Sequence, residues 1–173
     1  ANPDTVSRED KKKGMFLYAR TGDTEKLLVW IKALKRYAFY MGIDAKNILG
    51  NTALKVAAEN KQINAMRMLV EHDADTGVLF ESDLLHRSVY NGDIEMVKVL
   101  LELKANPDRL YSSSSYGECS PLLIAVQENN VEMVRLLLAA KASVKEGKVA
   151  KLLLERLEKS EDRIALVEKI LDL

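Results

Sequence analysis

Two histidines, one cysteine and a scatter of carboxylates are the side chains in this sequence that could act on a substrate. A thiol nucleophile needs a base within reach, and Cys119 follows Glu118 with no activating base adjacent in sequence. Zinc sites draw on Cys and His in set numbers and spacings; His72, His86 and Cys119 supply neither. Glu155, Glu158, Glu161 and Asp162 are spaced as a solvated helix face is, not as a converging acid–base pair. Glycine loops that cradle phosphate and the Gly-x-Ser-x-Gly elbow are both missing. The sequence therefore predicts no catalytic residue, no cofactor and no metal.

Contact chemistry is better supplied. Phe80, Arg87 and Tyr90 are residue types found at binding hot spots, and Leu79, Ser82 and Asn91 accompany them. The stretch LYSSSSYGECSP (110–121) sets Tyr111 and Tyr116 among serines and a glycine. Tyrosine offers large rigid area there, and serine and glycine offer adaptable hydrogen bonding. Each group has a plainer alternative: Leu79 and Phe80 fold into the core, or the 110–119 stretch is a tip that touches nothing. A third group, Tyr37, Phe39 and Tyr40, either packs on the loop 43–49 or forms a contact patch.

The elements that must position these residues follow from self-similarity. NGDIEMVKVLLELKA (91–105) returns as ENNVEMVRLLLAAKA (128–142), an offset of 37 residues. The same register carries back to AAENKQINAMRMLVEHDA (57–74) and YARTGDTEKLLVWIKAL (18–34), which gives four tandem units, with a fifth in SEDRIALVEKILDL (160–173). In each unit a first run has small residues on one side, Ala57 and Ala58, then Ser88 and Val89, then Ala125 and Val126. After a turn at Lys61, Gly92 or Asn129 comes a second run with apolar residues at helical spacing: Met66, Leu69, Val70; Val97, Leu100, Leu101; Val134, Leu137, Leu138. Such helix pairs cannot bury their apolar side alone, and stacking solves this.

GNTALKVAAENK (50–61), DLLHRSVYNGD (83–93) and SPLLIAVQENN (120–130) carry, in order, a Thr-Pro-Leu-His-like helix start, small residues and a turn; the second helix has a Val…Leu-Leu pattern. Here the sequence resembles the ankyrin-repeat family, over about residues 14–144. The resemblance implies an all-α solenoid of stacked helix-turn-helix units with finger loops. It divides the chain into an N-terminal capping repeat (14–46), central repeats (47–75, 76–106, 107–144) and a C-terminal capping repeat (145–173). It also implies that His86 holds turns together by hydrogen bonding, and that the loops around 79–82 and 111–118 project as fingers. Lys61 and Asn129 depart from the family's turn glycine and must tolerate the left-handed region. Leu27, Ile31, Leu34, Ala38 and Met41 predict that the second helix runs on to Gly42. Lys11 to Lys13, beside Glu9 and Asp10, read as a solvated cap helix.

Totals set the outer limits. With 173 residues, 47% hydrophobic and 30% charged, the chain suits one soluble domain. Lys plus Arg and Asp plus Glu number 26 each, so no field concentrates nucleic acid or an anionic membrane. Apolar runs fall far short of a bilayer span. A lone cysteine rules out an internal disulfide and leaves the compartment open, cytoplasmic or exported after removal of a signal peptide. The expected function is binding one protein partner through the concave face and fingers, by Val56, Glu59, Leu79, Phe80, Arg87, Tyr90, Asn91, Tyr111, Tyr116, Ile124 and Gln127. The chain is expected to be monomeric alone and to act by occupancy, as an inhibitor or self-protection protein for an enzyme. The alternative is a scaffold or secreted effector that captures a host protein. An enzyme or small-ligand binder built on Cys119 or the His86–Tyr90 region would need a deep pocket, which stacked helix pairs rarely make.

Overall fold

The computed structural model describes residues 7–36, 42–80, 83–113 and 117–144, in two units, Ala1–Ser82 and Asp83–Leu173. The first unit contains α1 (Arg8–Thr21), α2 (Thr24–Arg36), α3 (Ala53–Glu59), α4 (Ile63–Glu71) and the single turn α5 (Gly77–Phe80). The second contains α6 (Leu84–Tyr90), α7 (Ile94–Glu102), strands β1 (Tyr111–Ser113) and β2 (Gly117–Cys119), α8 (Pro121–Gln127) and α9 (Val131–Ala139). Lys11 to Lys13 fall inside α1. The predicted extension of α2 beyond Arg36, with Tyr37, Phe39 and Tyr40, lies outside the described residues, as does the predicted cap at 145–173.

Helices start where a side chain can satisfy the open amides of the first turn. Ser7, Thr52 and Ser120 accept from the N–H groups of Asp10, Lys55 and Leu123, and Pro121 occupies the first turn of α8, where its missing N–H costs nothing. Asn130 does the same for α9 through Met133. Helices stop by one repeated device. The residue after the cap turns left-handed, and the next N–H reaches back to a carbonyl in the last turn. At α3, α6 and α8 that residue is Lys61, Gly92 or Asn129, with φ of 56°, 70° and 53°, while α1 ends on Gly22 as the cap itself, at φ 76°, its N–H donating to the Tyr18 carbonyl. The second helices end the same way at Asp73, Lys104 and Lys141, with φ of 72°, 72° and 64°. There the N–H groups of Ala74, Ala105 and Ala142 bond to the carbonyls of Leu69, Leu100 and Leu137. These three alanines are buried, which seats each turn on its own helix pair.

In the first unit α1 packs on α2 and α3, α3 on α4, and α2 on α4. First helices therefore form one layer and second helices another. Met15, Leu27, Ile31, Leu54, Met66 and Leu69 fill the space between them. Gly14 lets α1 approach α2, since a Cβ there would sit 2.6 Å from the Trp30 indole. The second unit repeats the scheme, with α6 on α7 and α8, and α9 on α7 and α8, around Leu100, Leu122, Met133 and Leu137. No described helix is long and apolar enough to cross a membrane.

Candidate partner-binding surface

In the second unit the contact candidates gather on α6 and on the hairpin beside it. Three or four residues on a helix is one turn, so Asp83, Arg87, Tyr90 and Asn91 share a face of α6. Arg87 and Asn91 are exposed and Tyr90 is 53% exposed. The Arg87 guanidinium sits 3.9 Å from the Asp83 carboxylate, a loose pairing in solvent worth little to stability.

His86, one turn before Tyr90 at the edge of this face, is 4% exposed and fastens the hairpin to the helix. Its Nε2 lies 2.7 Å from the Arg109 carbonyl oxygen, which can only accept, so Nε2 carries the proton. Nδ1 is buried without a well-aligned partner. The imidazole also lies 5.4 Å from the Tyr111 ring at a 39° tilt. Burial pushes His86 below its ordinary pKa; the Arg109 and Cys119 carbonyls and the Asp83 carboxylate oppose that shift, and the Arg109 guanidinium adds to it.

The stretch that reads from sequence as a finger loop has an ordered base. β1 and β2 pair antiparallel, Tyr111 with Cys119 and Ser113 with Gly117. The Cys119 thiol is fully buried and donates to the Tyr111 carbonyl at 3.4 Å, so it closes the ladder from inside. Burial of this kind makes a cysteine inert rather than reactive. Tyr111 and Leu110 remain exposed, and the tip with Tyr116 lies outside the described residues.

Not every predicted contact residue reaches the surface. Val56 and Ile124 are buried, each among the first helices of its own unit, where small residues beside them let adjacent helices approach. Leu79 is 2% exposed. Its stretch does not project as a finger: α5 packs on α3, and Phe80 is half-buried. Val56, Leu79 and Ile124 therefore offer little or nothing to a partner, and Phe80 keeps part of its surface open. Glu59 is exposed on α3, Gln127 is half-buried on α8, and Ser82 is outside the described residues.

Sequence reasoning missed two surface features. Leu110 is exposed at the hairpin's base, where a leucine next to a tyrosine and four serines was a readable cue. Ile48 and Leu49, in the loop 42–51 of the first unit, are the most exposed large apolar residues among those described. Among the described residues no three His, Cys, Asp or Glu side chains gather in a group that could hold a metal.

Comparison with known proteins fits this geometry. A family model described as ankyrin repeats (3 copies) matches residues 77–148. A Fowlpox virus (strain NVSL) protein named for its ankyrin repeats is 33% identical over 93 residues, which is 52% of this chain and 27% of that protein. The matched stretch thus spans about a quarter of that relative's length. The crystal structure of an ankyrin repeat domain from Acinetobacter baumannii AYE superposes with a TM-score of 0.59 at 24% identity, covering 90% of this chain and 79% of the other. Residues 77–148 thus match the ankyrin-repeat model, and the chain has the all-α fold of an ankyrin-repeat domain.

Proposed function

We infer that this chain is a protein-binding module and that it works by occupying its partner. The observation that carries the reading is the surface of the second unit, where Arg87 and Tyr90 are exposed on α6, Asn91 is exposed at its cap, and Tyr111 is exposed on a hairpin that His86 ties to the same helix. Tyrosine and arginine are the side chains enriched at binding hot spots, and an ordered backbone beneath them limits the entropy lost on binding. Ankyrin repeats are in general protein-interaction modules, which supports the same reading. Glu59, exposed on α3 of the first unit, is a separate candidate, and Gln127 is a half-buried one on α8.

Occupancy points to an inhibitor, and the most specific form of the proposal is a chain that shields or silences one enzyme, as a self-protection protein does. Affinity capture from the source extract, comparing wild type with the Arg87→Ala/Tyr90→Ala variant, tests the binding surface. A protein retained by wild type and lost by the variant is the expected result; equal retention overturns the surface. Assay of that purified protein with one equivalent of the chain tests inhibition, and undiminished activity contradicts it.

A further inference from the structure

The two strands of the hairpin are fastened by different means. β2 runs straight into α8 through the fully buried Cys119 and through Ser120, 2% exposed, whose hydroxyl caps that helix. β1 is tied to α6 through the His86 ring, by Nε2 on the Arg109 carbonyl at 2.7 Å and by ring contact with Tyr111 at 5.4 Å. Arg109, Leu110, Tyr111 and Ser112 are all exposed. Little apolar burial therefore opposes their leaving the helix.

The tie depends on His86 staying neutral. As a neutral ring it donates from Nε2 and keeps Nδ1 as a buried lone pair. A second proton would create a buried N–H without an aligned acceptor and a full charge on a side chain 4% exposed. Around the ring, Asp83 of α6 and the Cys119 carbonyl of β2 favour that charge, and the Arg109 guanidinium opposes it. Glu118 of β2 and Glu95, Lys98 and Glu102 of α7 are exposed, and α8 carries no titratable side chain between Pro121 and Gln127. Burial outweighs the favourable groups, so the folded ring resists protonation. It reaches water most readily by letting go of the exposed strand it holds. Resting on the protein-binding reading above, we propose that His86 is a proton-operated latch: neutral, it holds β1 to α6 and keeps the binding surface assembled; protonated in mildly acidic solution, it lets the hairpin swing out about Cys119 and the partner is released.

The free chain tests the latch without a partner. Nuclear magnetic resonance from about pH 7 to about pH 5 follows the His86 ring, assigned against His72→Gln, and its contacts with the Tyr111 ring. Those contacts should fade in step with His86 protonation while α7 and α9 keep their amide shifts. In His86→Gln, whose side-chain amide can donate to the Arg109 carbonyl and does not titrate, the amides of 109–112 should hold their positions throughout. Ring contacts that survive protonation, as they would if Nδ1 turned to the Cys119 carbonyl, overturn the latch. A change spread equally over α7 and α9 also overturns it, because that is unfolding of the unit. If His86→Gln does not fold, the wild-type comparison of ring contacts with α7 and α9 decides alone. A partner captured by wild type at about pH 7 should elute at about pH 5 and stay on His86→Gln. Elution from both alike overturns the link to binding. A wild type that captures nothing overturns the protein-binding reading, and the ring measurement on the free chain still decides the latch.

Discussion

At the scale of single residues, His86 is where packing and titration meet. Its folded pKa is lowered by burial, so in mildly acidic solution the unfolded chain binds more protons than the folded one. The neutral ring's contribution is complete above the unfolded value of about 6.5 and is lost as pH falls through the folded value. Denaturation of the wild type between pH 7 and 5 should show stability falling by at most about 1.4 kcal/mol per pH unit from this group, and His86→Gln should flatten that slope. A slope unchanged in the variant would remove His86 from the account. Lys61 gives the opposite kind of prediction, a gain. Its φ of 56° is a left-handed geometry that costs an L-residue about 1–2 kcal/mol. Glycine gives back about 0.4–1 kcal/mol of that through the freer unfolded chain. Lys61→Gly should therefore stabilise by roughly 0.5–1 kcal/mol, read as a higher urea midpoint. Strain at Lys61 and Asn129 was legible because both replace a glycine in a recurring turn. Strain at Asp73, Lys104 and Lys141 was not, since lysine and aspartate there look like any charged helix end.

Elements tell the same story over longer stretches. Helix pairs were legible because apolar spacing and near-copies agree over ten or more residues, and Thr52, Ser120 and Asn130 mark helix starts with side chains that cap. Short elements escaped. α5 is four residues long, too few for any periodicity, so the sequence left Leu79 between core and surface, and its packing on α3 decides for the core. Leu79→Ala should cost about 2–5 kcal/mol as an emptied core position, measured by urea denaturation; a change below about 0.5 kcal/mol, the ordinary surface value, would put Leu79 back on the surface. The β1–β2 hairpin escaped for another reason. Its strands have no alternation of apolar residues, and its base is held by partners distant in sequence or hidden from it, His86 and the buried Cys119 thiol. Ties between loops belong to this scale as well: Asp44 holds the Asp75 N–H at 2.8 Å and Asp108 holds the Ser143 N–H at 2.6 Å. Asp108→Ala should lower stability by about 1 kcal/mol, the usual net worth of one such bond. An unaltered thermal midpoint would mean water replaces it at no cost.

For the whole molecule, repeats fix what is shared and leave function to what is not. Of the eleven contact residues proposed from sequence, Glu59, Arg87, Tyr90, Asn91 and Tyr111 are exposed and Phe80 and Gln127 are half-buried, whereas Val56, Leu79 and Ile124 are core. The difference is one of kind: aliphatic residues in a repeat register are pulled inward by the neighbouring helices, while tyrosine and arginine side chains can keep a polar end in water. With net charge +0, recognition must rest on these local groups rather than on a long-range field. Hydrogen–deuterium exchange of the chain with and without its protein partner tests this most directly. Added protection on binding should fall on 84–91 and 110–119, the helix and hairpin that His86 joins. Protection confined to the second helices, α7 and α9, would contradict it.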